Sequence, residues 1–394
     1  MSNLKILTFS TLFPNKIQKT HGIFVQTRLG YLRQSGQIDS RVMAPVPWFP
    51  WSHSRFGDYG QFAKISAQDH CLDNVPVSHP RYPVIPKIGM SAAPMLMALS
   101  VAKSLFHIHK NIFPFQVIDA HYFYPDGVAA AWLGKQLGVP VVITARGTDI
   151  NLIPKYALPR RMIKWAAEHS AGMITVCAAL KESLVELGID ARKVTVLRNG
   201  VDLVRFQPGD RQQARQALSL TRRTLLSVGH LITRKGHDLA IKALMDLPDT
   251  DLLIAGSGPE ENSLRALADQ CQVSDRVRFL GALPQEQLPD CYRAADALIL
   301  ASSREGWANV LLESMACGTP VVASNVWGTP EVVTNQAAGV LMPERSPAGV
   351  TAGVNTLFLN KPNSSETRHH AEQFSWQDTT DGQLALFRSI IEKK

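Results

Sequence analysis

Short apolar runs alternate with helix-length segments along this chain, and that rhythm limits the possible folds more than any other feature. In the first half the runs are Leu4 to Phe9, Arg41 to Ala44, Val117 to Ala120, Val141 to Thr144, Met173 to Val176 and Val194 to Leu197. The rhythm restarts with Thr224 to Val228, Asp251 to Ala255, Val277 to Leu280, Ala297 to Leu300, Pro320 to Ala323 and Gly339 to Met342. An unbroken run such as ALILA at 297–301 is the pattern of a strand buried on both faces of a parallel sheet. The intervening segments, Ile23 to Leu32 and Val128 to Leu137 among them, are long enough for helices. The expected fold is α/β, with two parallel sheets each covered by helices. Gln207 to Thr221, polar and broken by Pro208-Gly209, reads as the linker between them. The 394 residues suffice for two domains, and the 45% apolar content suffices for their cores.

Chemistry concentrates in Ser302 to Thr319, SSREGWANVLLESMACGT. Glu305 stands in the loop past a strand, and Glu313 about one turn inside a helix predicted over Asn309 to Ala316. The helix start between them offers unpaired N–H groups and the positive end of a dipole. That arrangement suits a ligand with an anionic middle and hydroxyl-bearing ends, such as a nucleotide-sugar diphosphate. The pair taken alone fits equally well two carboxylates that are neighbours by chance.

Other strand ends carry similar residue types. His230, Arg234 and Lys235 follow the strand ending at Val228 and form a candidate diphosphate clamp, since cations there neutralise a leaving group. In the first half, His121, Arg146 and Asp149 fall at carboxyl ends of strands, where ligands gather in open α/β sheets. Gly22 closes a polar loop before a helix and either admits a ligand close to backbone or makes a plain turn. Ile254 to Pro259 begins like a dinucleotide fingerprint, but Pro259, Glu260 and Glu261 occupy the turn, which excludes a dehydrogenase.

Charge is uneven. The first 200 residues hold 22 Lys+Arg against 11 Asp+Glu and the remainder 19 against 22, within a net +8. No nucleic-acid-binding signature accompanies the basic half, so no nucleic-acid partner is expected. An anionic membrane surface is the better partner. Residues 84–115 are apolar and Met-rich with Lys87, Lys103 and Lys110; they are either a head-group surface or a core helix with solvated lysines. Pro45 to Trp51, with three prolines and three aromatics, is expected to form no regular element. Cysteines 71, 177, 271, 291 and 317 lack metal or disulfide spacing and fit a reducing compartment. No run approaches the roughly 18 apolar residues of a membrane span, and the N-terminus lacks the order of a signal peptide.

Taken together, EGWANVLLE, ACGTPVVA at 316–323, GTPE at 328–331 and RNGVD at 198–202 resemble the family-4 retaining glycosyltransferases of GT-B architecture. HYFYPDG-like and GTDIN-like stretches resemble bacterial exopolysaccharide and teichuronic-acid-type members. The resemblance implies two facing Rossmann-like domains with a cleft between them: an acceptor-binding 1–203, a donor-binding 204–374, and a final helix, 375–394, crossing back to the first. It implies that Glu305 contacts donor-sugar hydroxyls, that Gly306 and the backbone at Asn309 and Val310 hold sugar and phosphate, and that Glu313 binds the ribose. It further implies Lys235 on phosphate, Ala282 and Leu283 at the base, His121 near the transferred sugar, and the Gly22 loop. Two departures stand out. His230 replaces a common Arg, so Arg234 or protonated His230 supplies the second phosphate contact, and Arg146 replaces a common His.

The implied reaction moves a hexose-type sugar from a nucleoside diphosphate, UDP or GDP as co-substrate, to a glycan or polyprenyl-linked acceptor in bacterial surface polysaccharide synthesis. It proceeds with retention and through a front-face step. No Asp-x-Asp stands in the Ser302 to Thr319 stretch or beside the cationic clamp at 230–235, so no metal and no other cofactor are expected. The expected location is cytoplasmic, at the inner face of the plasma membrane. A sugar-nucleotide epimerase of the same architecture and a catalytically idle scaffold are the alternatives.

Overall fold

The computed structural model describes residues 3–53, 55, 57–71, 74–84 and 89–393. They form two compact units: residues 1–198 with 377–394, and residues 199–376. Each is a Rossmann-like α/β unit.

Unit 1 is built on an eight-stranded sheet. Its order is Val194–Val196, Gly172–Thr175, Val141–Ala145, Val117–His121, Leu4–Phe9, Ile38–Met43, Val75–Ser78 and Gln68–Cys71. The ladders are parallel except the last, where Gln68–Cys71 runs antiparallel to Val75–Ser78. The central strands Val117–His121 and Val141–Ala145 are buried at every position because helices cover both faces, and they are apolar except at Asp119, His121 and Thr144. The helix Ile23–Gln34 packs Val25, Leu29 and Leu32 onto one face, and the chain's last helix, Trp376–Glu392, adds Leu384 and Phe387 to the same core.

That last helix also closes a buried polar chain. Arg28 Nε donates to Gln383 Oε1 at 3.0 Å, and Gln383 Nε2 donates to Asp119 Oδ2 at 2.9 Å. A buried donor or acceptor without its partner costs more than the bond itself contributes. Gln383→Leu keeps the volume but strands a guanidinium and a carboxylate. It is expected to lower the unfolding free energy of unit 1 by about 3 kcal/mol. Urea denaturation would check this, and an unchanged midpoint would show that the chain contributes nothing to stability.

Unit 2 holds a six-stranded sheet, all parallel, in the order Val277–Gly281, Thr250–Ala255, Arg223–Val228, Ala297–Leu300, Val321–Ser324 and Gly339–Met342. Its core gathers Leu225, Leu252, Ile254, Ile299 and Val322 from the strands with Ile241, Leu244, Val350, Val354 and Leu357 from the helices.

Two local expectations change, and the one left open for the Met-rich stretch takes its helical form. Pro45 to Trp51 does contain a regular element: Val46–Trp48 pairs with Arg81–Pro83 in a separate two-stranded ladder. Pro47 has no N–H to donate, but a three-residue edge ladder needs few donors, and Val46 N supplies one to Pro80 O at 2.9 Å. Within 207–221, Arg211–Ala217 is a helix started by Asp210, whose carboxylate accepts the Gln213 N–H at 2.9 Å. The Met-rich stretch becomes the helix Ala93–His107. It buries Pro94, Met97, Ala98, Val101 and Leu105 and leaves Met95, Leu99, Lys103 and Lys110 exposed. Lys87 lies outside the described residues. Among the described residues no helix is long and apolar enough to cross a membrane.

Candidate functional site

Among the parallel strands of each sheet the order reverses once, and Gly22, His121, His230, Arg234, Lys235 and Glu305 end or follow the strands that meet at the reversal. In unit 2 the strands Arg223–Val228 and Ala297–Leu300 are neighbours, with the remaining strands added outward on either side. The loops leaving their carboxyl ends therefore diverge and open a crevice, the usual ligand position in such sheets. The first loop carries His230, Arg234 and Lys235; the second carries Glu305.

These loops are joined by ionic bonds. Lys235 Nζ donates to Glu305 Oε1 at 2.7 Å, and Ser302 Oγ donates to the same oxygen at 2.6 Å. Arg234 Nη1 lies 3.6 Å from Glu305 Oε2 and donates to the Arg304 carbonyl at 2.8 Å. Glu305 is only 8% exposed. Burial raises its pKa, but Lys235 and Arg234 outweigh burial and hold the carboxyl below its ordinary value. It is ionised at neutral pH. Gly236 turns the chain after Lys235 with φ +72°, and a Cβ there would stand 2.2 Å from Ala301 O, so the two loops approach this closely only with glycine. His230 is exposed and takes no part in the cluster.

The helix Asn309–Ala316 follows, with no side-chain cap and no acidic residue in its first turn. Gly306 is buried, while Asn309 and Val310 are half-buried. Asn309 Oδ1 accepts from Asn199 Nδ2 at 3.2 Å. On the inner face of the helix, Glu313 Oε2 accepts the Tyr292 hydroxyl at 2.7 Å. Burial pushes the Glu313 carboxyl up to about 7, although the Tyr292 bond and Arg205 oppose it. The two glutamates thus differ: one is ionised and ion-paired, the other is poised near neutrality.

The loop at Gly281, Ala282 and Leu283 leaves the outermost strand, with Ala282 exposed and Leu283 half-buried. It joins the crevice through a relay of backbone bonds: Gly256 N donates to Gly281 O at 2.8 Å, and Gly229 N to Ala255 O at 2.9 Å. The Gly256-Ser257-Gly258 turn packs on backbone too, with Leu231 N donating to Ser257 O at 2.9 Å.

In unit 1 the reversal falls between Leu4–Phe9 and Val117–His121. Gly22 starts the helix Ile23–Gln34 with φ +67°, and a Cβ there would lie 2.2 Å from the Leu12 carbonyl carbon. His121 is 1% exposed and bonded at both ring nitrogens. Arg146 Nη2 donates to Nδ1 at 2.7 Å, so the proton sits on Nε2, which donates to Asp119 Oδ2 at 3.2 Å. Burial lowers the His121 pKa to about 4 against the pull of Asp119, so the ring is neutral. Burial also lowers Arg146, to about 9, and it stays cationic. The Asp149 carboxylate is taken up by backbone, accepting from Phe123 N and Gly147 N at 2.7 Å each.

Several contributors were not anticipated. Asp119 had a signal, because it stands two residues before His121 on the same strand face. Ser302, Tyr292, Arg28 and Gln383 had none. Among the described residues no group of three or more His, Cys, Asp or Glu is placed to hold a metal ion.

Comparison with known proteins places this geometry. The model described as "Glycosyl transferases group 1" matches residues 210–375, and that for "Glycosyltransferase Family 4" matches 61–205. A D-inositol 3-phosphate glycosyltransferase of Segniliparus rotundus is 32% identical over 70% of this chain, and the match spans 66% of that protein's length. The protein of the same name from Mycolicibacterium smegmatis is also 32% identical, over 69% of this chain and 67% of its own. These relatives are not exopolysaccharide or teichuronic-acid enzymes. Among solved structures, the sucrose-phosphate synthase of Thermosynechococcus elongatus superposes with a TM-score of 0.79 at 18% identity, covering both chains fully (100%). HepE of Anabaena in complex with UDP-glucose gives 0.71 at 19% identity, covering 99% of each chain. Both sheets, the reversal of each, and these matches identify the architecture as GT-B, and the chain belongs to the glycosyltransferases of group 1, with a first half of the family-4 type.

Proposed function

We propose that this chain transfers a hexose-type sugar from a nucleoside diphosphate, UDP or GDP, to a hydroxyl of a glycan or polyprenyl-linked acceptor, with retention at the anomeric carbon. The observation that carries the reading is the Lys235–Glu305 pair at 2.7 Å, set at the strand reversal of unit 2 beside an uncapped helix start. The pair is more than a trapped charge: it orders a cation and an anion with different ligands to meet. Lys235, Arg234 and the first-turn amides at Asn309 and Val310 face the diphosphate, whose departure places negative charge there. Glu305 and Gly306 take the donor sugar, Glu313 the ribose hydroxyls, and Ala282 and Leu283 the base. In a front-face step the bond from the anomeric carbon to the phosphate oxygen breaks. The acceptor oxygen bonds to the same face, and its proton passes to the departing phosphate. Cationic side chains and a helix dipole supply the neutralising charge, so we read the step as metal-independent. In unit 1, His121 is neutral and Arg146 cationic, a pair suited to hydroxyl-bearing ligands.

The chemistry fits assembly of bacterial surface polysaccharide at the cytoplasmic face of an anionic membrane. Exposed Met95 and Leu99 beside Lys103 and Lys110 support the membrane contact, as does the lack of any carboxylate between residues 74 and 118.

Thermal shift against UDP-, GDP- and ADP-sugars in EDTA tests the reading, with Glu313→Ala alongside. One nucleotide class is expected to stabilise the protein, by about 2.7 kcal/mol at a hundredfold excess over Kd, and the variant to lose most of it. A folded protein that answers to no nucleotide would sink the proposal in favour of a scaffold.

A further inference from the structure

Three helices of unit 1 enclose an apolar pocket of about 270 Å³ that takes no part in the transfer reading. The helix Ala93–His107 contributes Met95 and Ala98, Val128–Leu137 contributes Trp132, and Ala157–His169 contributes Arg161, Met162 and Trp165. Met95 and Arg161 are exposed and Trp132, Met162 and Trp165 half-buried, so the space opens to solvent. The Trp165 indole is braced: the His169 ring stacks on it with centres 4.5 Å apart, and His169 Nδ1 donates to the Trp165 carbonyl at 2.9 Å. The volume is room for roughly nine groups of about 30 Å³ each, which is one alkyl chain of about nine carbons.

Its chemistry is selective. No lining residue has a carboxylate, hydroxyl or amide side chain, so the hydroxyls of a sugar would be buried there without partners. A partner helix, about 10 Å across, is too wide for the space. An alkyl chain meets neither obstacle, because it gains from leaving water and needs no hydrogen bond. The charge around the pocket selects the head that the chain carries. The three helices hold Lys103, Lys135, Arg160, Arg161 and Lys164 against a single carboxylate, Glu168. Arg161 is the one charged residue of the lining, and among the described residues it has neither an ion pair nor a side-chain hydrogen bond. An uncompensated guanidinium at the edge of an apolar pocket suits a phosphate head, to which it donates two parallel bonds.

We propose that this pocket binds one alkyl chain of an anionic lipid, to a depth of about nine carbons, with Arg161 on the lipid phosphate. The site rests on neither the donor nor the acceptor of the transfer reading. It gives the membrane contact inferred from Met95 and Leu99 a defined point of entry, and only that consequence rests on the reading above.

Calorimetric titration of the full chain with butyl, octyl, decyl and dodecyl phosphate, each below its critical micelle concentration, tests it. Affinity is expected to rise by up to about fourfold per methylene as far as about nine carbons and then to level off. Octyl phosphate is expected to bind about tenfold more tightly than octyl glucoside, and octyltrimethylammonium more weakly than either. Arg161→Gln is expected to bring octyl phosphate to within about threefold of the glucoside, and Met95→Glu to weaken it about tenfold or more. Both positions are exposed, so both variants keep the fold. No binding, an affinity that climbs steadily through dodecyl, or an Arg161→Gln variant that matches the wild type would overturn the pocket. Geranyl phosphate beside decyl phosphate distinguishes the lipid sources within the proposal: tighter binding of the first assigns the chain to isoprenoid lipids, and of the second to acyl lipids. Flotation with anionic vesicles and the nucleotide-sugar thermal shift on the same samples keep the readings apart. Vesicle binding without alkyl phosphate binding removes the pocket alone, and alkyl phosphate binding without any nucleotide shift removes the donor reading alone.

Discussion

Lys235→Met is expected to lose at least a hundredfold in kcat and also to lower stability, and adding Glu305→Gln is expected to restore the stability without the rate. The two losses have different causes. Glu305 is nearly buried, and Lys235 is its closest ion-pair partner at 2.7 Å. Removing one partner of such a pair leaves a carboxylate short of charge compensation, which costs several kcal/mol in a fully buried pair. Here Arg234 remains at 3.6 Å and the Lys235 side chain is 15% exposed, so about 2 kcal/mol is the expected loss. Glutamine at 305 removes the charge that needed the lysine and still accepts from Ser302. The rate loss follows from chemistry: one preorganised cation at a departing diphosphate is worth about 100- to 1,000-fold. Urea melts and turnover with the stabilising donor measure both. A double variant that recovered rate together with stability would make Lys235 a purely structural counter-ion. Lys235→Met with turnover within threefold of wild type would remove it from the mechanism.

How much of this could be read from the chain differs between the sheet and the site. Buried parallel strands show as unbroken apolar runs, so ALIL at 297–300 and GVLM at 339–342 were legible to the residue. The edge of the unit 1 sheet was not. Gln68–Cys71 and Val75–Ser78 are short, and Pro76 and the polar Gln68, Asp69 and His70 hide their pattern. Sequence could place Lys235 and Glu305 at strand ends, but it could not make those ends neighbours. That adjacency depends on strand order, which only long-range packing decides. The partners that set the chemistry were hidden for the same reason: Gln383 reaches Asp119 across 264 positions, and Tyr292 reaches Glu313 from another helix. Gly256 shows the reverse hazard. A glycine pattern that suggests phosphate binding is needed there because backbone packs on backbone.

Glu313→Gln should make the protein more stable at pH 8, change its stability by less than about 1 kcal/mol near pH 5, and weaken donor binding at pH 8. An unfolded glutamate titrates near 4.5, whereas burial pushes Glu313 up to about 7 in the fold. Between those values the folded chain keeps a proton that the unfolded chain releases, so stability falls as pH rises, and the penalty is complete above about 7. Its size is on the order of 3 kcal/mol. Glutamine never ionises and so avoids the penalty, while its amide oxygen still accepts the Tyr292 hydroxyl. Near pH 5 the folded wild-type carboxyl is neutral and only the first part of the penalty is present, so the two proteins should differ by less than about 1 kcal/mol. Binding should move the opposite way. A charged acceptor for ribose hydroxyls is worth about 1.5–3 kcal/mol, so the variant should bind the donor roughly 10- to 100-fold more weakly at pH 8. The wild-type Kd should rise as pH falls through about 7, while that of the variant stays flat. Melting curves and calorimetric titrations at pH 5 and pH 8 read all four quantities. A variant that gained no stability at pH 8 would place the Glu313 pKa near its ordinary value, and a wild-type Kd independent of pH would take its carboxylate off the ribose.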